Sequence, residues 1–150
     1  LAAYTGVRRR FDYQVRNDRQ VYIDDYAHHP AELSACIRSA RDLYPGKKIT
    51  GIFQPHLYTR TRDFAEGFAE SLSLLDRLIL LDIYPARELP IPGVTSSMIL
   101  DKVTISDKML LSKEQALDFL KSNPSEVLLT LGAGDIDQLV EPLRKILTVN

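Results

Sequence analysis

The chain passes from a predicted strand to a predicted helix through Asp24-Asp25-Tyr26-Ala27-His28-His29-Pro30. Val21 and Ile23 before this stretch alternate as in a strand, and the residues after Pro30 have the spacing of an amphipathic helix. In open α/β sheets, ligands bind where the carboxyl end of a strand leads into a helix. A helix start alone would account for Pro30 and one capping aspartate. It does not account for Tyr26, His28 and the second aspartate, so we interpret the stretch as part of a binding site.

Size and composition limit the class of protein. The chain has 150 residues, of which 45% are hydrophobic and 26% charged, which is typical of one globular domain with a core. Its net charge of −1 gives no basic field for nucleic acid, and Cys36, the only cysteine, excludes a disulfide framework. No apolar run is long enough to span a membrane and no signal peptide is visible, so we expect a cytoplasmic protein without a membrane partner. Residues 1–4 resemble the last turn of a helix ended by Gly6, as in a domain cut from a longer protein.

Strand and helix patterns alternate along the rest of the chain. A hairpin is predicted at residues 11–23, followed by strands at 48–53, 77–83, 109–111 and 127–131. Helices are predicted at 30–43, 63–75, 96–102, 112–120 and 136–147. This alternation predicts a three-layer, Rossmann-like α/β fold with a mainly parallel sheet and an antiparallel hairpin at its N-terminal edge.

Four polar segments follow predicted strands, at residues 24–30, 54–63, 84–93 and 132–135. Because the carboxyl ends of parallel strands share one edge of a sheet, we expect these segments to converge. In the second segment, Arg60 beside His56 is typical of a carboxylate or phosphate clamp, since guanidinium binds both bidentately. Gly132-Ala133-Gly134 is a weaker signal for backbone N–H groups that face an anion, and the turn geometry alone explains the glycines.

Two other functions compete with a substrate site at this stage. Zinc-type ligands are present at Asp24, Asp25, His28, His29 and His56. Adjacent histidines point in different directions, however, and no spaced histidine pair lies on one helix face, so we predict no metal. A partner-binding domain without catalysis is the other alternative, and it leaves the four polar segments unexplained.

The four segments together resemble the Mur ligase family of peptidoglycan synthesis, and within it the ligase that joins L-alanine to UDP-N-acetylmuramate. The likeness runs from about residue 1 to residue 147 and covers only the family's C-terminal domain. It implies an interdomain linker ending at residues 1–8 and a C-terminal, amino-acid-binding domain at residues 9–150, with N-terminal and central domains missing. It also implies ATP and Mg²⁺ as cofactors, bound mainly by the missing central domain. The phosphate-binding Gly-x4-Gly-Lys-Ser/Thr motif does not occur in this chain, which agrees with that division.

The resemblance implies a reaction and a role for each matched residue. ATP would activate the muramic carboxylate as an acyl phosphate, which the amine of L-alanine then attacks. Arg10 would contact the nucleotide at the hinge, and Asp25, with Asp24 as the alternative, would bind the ATP ribose. The L-alanine pocket would consist of Tyr26, His28, His56 and Arg60. Arg60 would take the alanine carboxylate. Apart from the resemblance, its position and the near-neutral reference pKa of histidine make His56 a candidate for the base that deprotonates the alanine amine.

Two positions depart from the family pattern. Leu57 stands where relatives carry an arginine, which leaves open whether Arg62 supplies a second cation. Asp135 stands where some relatives have asparagine, and the sequence offers no interpretation of that change.

Overall fold

A computed structural model describes residues 9–149 of the protein. The predicted helical turn at residues 1–4 and the linker at residues 1–8 lie outside the described residues. Within the described range, no helix is both long and apolar enough to cross a membrane.

Six strands form one sheet, in the order β1-β2-β6-β3-β4-β5. β1 pairs antiparallel with β2, and every other neighbouring pair is parallel. The strands are β1 (Asp12–Arg16), β2 (Val21–Asp25), β3 (Ile49–Phe53), β4 (Arg77–Leu80), β5 (Lys108–Leu110) and β6 (Val127–Leu131). The predicted fold class, with its antiparallel hairpin at one edge, is confirmed.

Helices cover both faces of the sheet. They are α1 (Pro30–Leu43), α2 (Tyr58–Leu72), α3 (Ser97–Leu100), α4 (Lys113–Ser122) and α5 (Val140–Val149), the last preceded by a 3-10 turn at Asp135–Leu139. Buried side chains of α1, α2 and α3 share one core with strand residues such as Ile23 and Leu129. Those of α4, the 3-10 turn and α5 share the other core with Tyr22 and Leu128. Neighbouring strand residues thus enter opposite cores, as the period of two requires.

The start of α2 differs from the sequence prediction. The apolar spacing predicts a start near residue 63, whereas the helix begins at Tyr58, so that Arg60 lies in its first turn rather than in a loop. The N-cap residue, Leu57, has φ 72° and no side-chain acceptor, and Glu88 of a distant loop accepts the Thr59 N–H instead. This helix start depends on a residue remote in sequence, so local spacing does not reveal it.

Two other predicted elements differ at their ends. The strand predicted at 77–83 ends at Leu80. The last helix begins as a 3-10 turn, because the Ile136 N–H donates to the side chain of Gln54. The predicted cap of α4 is present as a capping box between Ser112 and Gln115.

Candidate functional site

The four polar segments all lie at the carboxyl edge of the sheet, after β2, β3, β4 and β6. Backbone hydrogen bonds join the second segment to the third. The Leu57 N–H donates to Tyr84 O, and the Tyr84 N–H donates to Pro55 O, both at 2.8 Å. His56 and Tyr84 therefore form a parallel bridge beyond the ends of the strands. This bridge continues the sheet by one residue pair into the site.

The four residues assigned to the amino-acid pocket lie in one row. The Tyr26 and His28 rings are 5.2 Å apart between centroids, and the His28 and His56 rings are 6.3 Å apart. Arg60 Nη1 lies 3.5 Å from His56 Nδ1. On its other side the His56 ring stacks on Tyr84, with centroids 5.7 Å apart and planes 13° apart. Residues from two segments separated by 28 positions thus line one polar and aromatic surface.

The electrostatics of this row are set by burial and by Arg60. Burial lowers the pKa of His56 below its ordinary value of 6.5, and the positive charge of Arg60 lowers it further. At neutral pH the ring is therefore uncharged and can accept a proton. Among residues 9–147, none of the ion pairs involves Arg60. Its guanidinium is thus not neutralised by a carboxylate of these residues.

The two aspartates of the first segment point to opposite faces of the sheet. Asp24 is buried, forms a 2.7 Å ion pair with Arg9 and accepts a 2.7 Å hydrogen bond from the Thr130 hydroxyl. Asp25 accepts the backbone N–H groups of Phe11 and Ala27 at 2.8 and 2.9 Å. Burial raises the pKa of Asp25, although these two bonds counteract the rise. Both carboxylates therefore have internal partners, and of the two only Asp25 also lines a cleft.

That cleft has a volume of about 450 Å³ and lies between the residues just before β1, the first segment and α1. Arg10 and Asp25, the residues assigned to the nucleotide, both line it, together with Phe11 and Cys36. Burial and the proximity of Asp25 raise the pKa of the Cys36 thiol, which keeps it protonated. A second cleft of about 330 Å³ opens on the other side of the row, beside Tyr84, Lys113 and Asp135.

Arg9 is a structural contributor that the sequence did not single out. Besides Asp24, its guanidinium donates to Gly132 O at 3.1 Å, and it lies 5.3 Å from the centre of the Tyr26 ring. Its own carbonyl accepts the Tyr26 N–H. The sequence run Arg8-Arg9-Arg10 does not show which arginine is internal and which faces a ligand. The direction of the Arg9 side chain depends on its backbone conformation, in which φ is 67°.

The glycine segment is tightly packed against Gln54. A Cβ on Gly132, which has φ +141°, would lie 2.9 Å from Gln54 O, and one on Gly134 would collide with the Gln54 and Tyr84 side chains. The Gly132 N–H donates to Asp25 O at 3.2 Å. These contacts account for both glycines, while an anion at residues 132–134 stays a prediction.

Three further residues complete the account of the predicted positions. Arg62 is exposed and pairs with its neighbour Asp63 at 2.8 Å, and Leu57 donates its N–H into the bridge described above. Asp135 accepts from Gln54 at 2.6 Å and pairs with Lys113 at 2.8 Å. Burial would raise the pKa of Asp135, but the Lys113 and Gln54 contacts outweigh it and lower that pKa. Within residues 9–147, His, Cys, Asp and Glu side chains form no group of three or more that could hold a metal ion.

Comparisons with known proteins identify the family of this chain. The family described as "Mur ligase, glutamate ligase domain" matches residues 9–134. A protein of Parabacteroides distasonis named UDP-N-acetylmuramate--L-alanine ligase is 63% identical over 147 residues, which are 98% of this chain and 32% of that protein. The protein of the same name from Flavobacterium johnsoniae is 51% identical over 150 residues, which are 100% of this chain and 33% of that protein.

Solved structures show the same fold. The UDP-N-acetylmuramate-alanine ligase of Thermotoga maritima superposes with a TM-score of 0.69 at 26% identity, over 95% of this chain and 30% of that one. A crystallised domain of a Haemophilus ducreyi protein described as a putative UDP-N-acetylmuramate:L-alanyl-gamma-D-glutamyl-medo-diaminopimelate ligase superposes with a TM-score of 0.64 at 18% identity. It covers 93% of this chain and 98% of that one, so this fold exists as a domain on its own.

Proposed function

The chain belongs to the Mur ligase family, and we propose that it is the C-terminal, amino-acid-binding domain of an ATP-dependent ligase that joins L-alanine to UDP-N-acetylmuramate. It spans about a third of the length of the curated relatives that it matches. Those relatives carry the name UDP-N-acetylmuramate--L-alanine ligase. The remaining domains would bind the UDP-sugar and most of the ATP, and the reaction would take place in the cytoplasm.

The observation that carries this proposal is the Arg60 guanidinium, which has no carboxylate partner among residues 9–147 and lies beside an uncharged His56. A guanidinium without a carboxylate partner among the described residues is suited to a bidentate bond with a carboxylate ligand. L-Alanine offers a carboxylate, an amine and one methyl group. The carboxylate would bind Arg60, and the rings of Tyr26 and His28 would enclose the small remainder.

The ligation reaction would then require an unprotonated alanine amine next to the carbon that it attacks. ATP with Mg²⁺ would convert the muramic carboxylate to an acyl phosphate, and the alanine amine would attack its carbonyl carbon and displace phosphate, forming the amide. The attacking nitrogen must lose protons, and His56 would be the acceptor, because burial and Arg60 lower its pKa and so leave its ring unprotonated at neutral pH. Holding the amine by its carboxylate supplies the orientation that such an attack needs.

Closure over ATP would involve the cleft that holds Arg10 and Asp25. The cleft presents a carboxylate, which can accept hydrogen bonds from ribose hydroxyls, and a guanidinium, which can bind phosphate. These donors and acceptors fit part of a nucleotide. We assign no Mg²⁺ ligand to the described residues.

The test is an ATP-dependent ligation assay with the full-length protein and UDP-N-acetylmuramate. L-Alanine, glycine, L-serine and D-glutamate would be compared as amine donors. We expect an amide product and matching ADP release with L-alanine at the highest kcat/KM. A preference for D-glutamate, or the absence of amino-acid-dependent ADP release, would contradict the proposal.

A further inference from the structure

The loop between β4 and α3 reaches back to the start of α2 through one side chain, Glu88. One carboxylate oxygen of Glu88 accepts the Thr59 N–H at 3.1 Å, and the other accepts the Thr59 hydroxyl at 2.5 Å. The two residues are 29 positions apart. The bonds to the hydroxyl and the backbone of Thr59 lower the pKa of Glu88, so the carboxylate is charged when it holds the helix.

Within the part of the chain that the structure describes, no other side chain caps the start of helix α2. The first N–H groups of a helix lack internal partners, and a side chain at the N-cap usually accepts one of them. The N-cap here is Leu57, which carries no acceptor and has a left-handed φ of 72°. A negative charge at this end also stabilises the helix dipole. Glu88 therefore supplies from another loop what the local sequence lacks.

The contrast with α4 shows why this matters for the site. The capping box of α4 is local, between Ser112 and Gln115, so it connects that helix to nothing else. The cap of α2 instead ties two separate segments together. A second tie between the same two segments is the backbone bridge of His56 and Tyr84.

Arg60 lies between these two ties. Thr59, which Glu88 holds, is its neighbour in the first turn of α2, and His56, which the bridge holds, is 3.5 Å from its guanidinium. Resting on the function proposed above, we infer that Glu88 is a positioning residue of the amino-acid pocket, which fixes the first turn of α2 so that Arg60 meets the substrate carboxylate. Glu88 acts through the first turn of α2 and mainly through Thr59, because both of its oxygens accept bonds from that residue and the Tyr58 backbone adds a smaller interaction.

Kinetics of the full-length enzyme provide the first test. Glu88→Ala should raise the KM for L-alanine on the order of 10-fold, the factor expected if the stabilisation that a helix cap gives the first turn is lost from alanine binding, and leave the KM values for ATP and the UDP-sugar nearly unchanged. Glu88→Gln keeps an acceptor for the Thr59 N–H and should restore most of the alanine affinity. Glu66→Ala is the matched control, since it removes an exposed carboxylate further along the same helix.

The route through Thr59 has its own test. Thr59→Val removes only the hydroxyl, so its effect on the alanine KM should be smaller than that of Glu88→Ala. The double variant should be no worse than Glu88→Ala alone, because the partner of the hydroxyl is then already gone. Additive effects would overturn the inference. So would a Glu88→Ala enzyme that loses thermal stability but keeps the wild-type alanine KM, or one in which all three KM values rise together.

A test independent of ligase activity uses the pKa of His56, measured by NMR in the 150-residue chain. The charge of Glu88 by itself raises this pKa, whereas the charge of Arg60 lowers it. Loss of the Glu88 charge alone, as in Glu88→Gln, should therefore lower the pKa of His56. Release of Arg60, as in Glu88→Ala, should raise it relative to Glu88→Gln.

The two readouts separate the inference from the proposed function. If the full-length protein ligates no alanine but Glu88→Ala raises the pKa of His56 above that of Glu88→Gln, the proposed function fails and the positioning of Arg60 by Glu88 stands. If the protein ligates alanine and the two variants have the same pKa of His56 and the same alanine KM, the inference about Glu88 fails alone.

Discussion

The two ends of the sheet differ in one respect: the carboxyl end holds the Arg9–Asp24 and Lys113–Asp135 pairs but also presents Arg60, which pairs with no carboxylate of residues 9–147. At the amino end, charges meet one another and the strand starts: Arg41 pairs with Asp76 at 2.8 Å, and the same carboxylate accepts the Ile49 N–H at 2.8 Å. Arg77 pairs with Asp107 at 2.9 Å. At the carboxyl end, Arg60 has no carboxylate partner among residues 9–147, and the rings of Tyr26, His28 and His56 form an open row. Internal pairing stabilises a fold, whereas unpaired groups remain available to a ligand.

Backbone conformation shows the same difference between the ends. Among residues 9–149, the non-glycine residues with positive φ are Arg9, Phe11, Leu57 and Ala86. All of them belong to segments at the carboxyl end, next to Asp24, Asp25, His56 and Glu88 respectively. Such conformations each require about 1–3 kcal/mol from surrounding contacts and cluster at functional sites. Contacts at the carboxyl end therefore hold strained backbone conformations beside the candidate site, whereas the ion pairs at the amino end stabilise the fold.

The largest expected effect concerns whether the carboxyl end works without the other domains. The chain lacks the phosphate-binding motif and spans about a third of its relatives. We expect the purified 150-residue chain to fold and to show neither ligase nor ATPase activity. Far-UV circular dichroism and an ADP-release assay at saturating alanine, ATP and UDP-sugar would check this. Measurable ATP turnover by this chain would contradict the proposal that the remaining domains bind most of the ATP.

The second effect is on alanine binding in the full-length enzyme. Hydrogen bonds to charged groups contribute roughly 1.5–3 kcal/mol, so Arg60→Ala should raise the alanine KM by about 10-fold to 150-fold. Arg60→Lys keeps the charge but loses the planar fork, so its KM should lie between the two. Steady-state kinetics with alanine and ATP varied separately would measure this.

Arg62→Ala is the matched control for Arg60, because Arg62 lies two residues away, is exposed and pairs with Asp63. Its alanine KM should stay near that of the wild type. An Arg60→Ala enzyme with unchanged alanine saturation, or with a larger loss in ATP saturation, would assign Arg60 to a different role.

The sequence predicted the layers of the fold and the convergence at the carboxyl edge, because both follow from residue periodicity and parallel pairing. It did not predict the start of α2, since Glu88 caps that helix from 29 positions away. The sequence also did not decide whether Asp24 or Asp25 would bind the ATP ribose, because two neighbours in one strand differ only in the face of the sheet to which each side chain points. Arg9 was not singled out for a related reason: its partners Asp24 and Gly132 become neighbours only through the pairing of β2 with β6.

The third effect tests the amino end. Asp76→Ala removes the partner of Arg41 and the acceptor of the Ile49 N–H. Since this carboxylate is partly exposed, water replaces some of the loss, and we expect the free energy of unfolding to fall by about 1–2 kcal/mol. Urea denaturation of the 150-residue chain would measure this. The alanine KM of the full-length variant should not change, and a change of several-fold would mean that the two ends are coupled.

The smallest effect is a pKa shift within the carboxyl end. Arg60 is the second cause, after burial, of the lowered pKa of His56. Arg60→Gln should therefore raise this pKa part of the way toward 6.5, while burial keeps it below that value.

The lowered pKa of His56 in the folded state also predicts how stability depends on pH. Between the pKa of the folded state and 6.5, the unfolded chain binds more protons than the folded one, so stability should fall as the pH drops through this window. Arg60→Gln should narrow that pH window, and His56→Asn should abolish the contribution of the His56 ring to the pH dependence of stability. NMR titration of the ring together with urea denaturation at several pH values would measure both. A His56 pKa that does not respond to Arg60→Gln would mean that the two side chains are not neighbours in solution, and the amino-acid pocket would then lose its central pair.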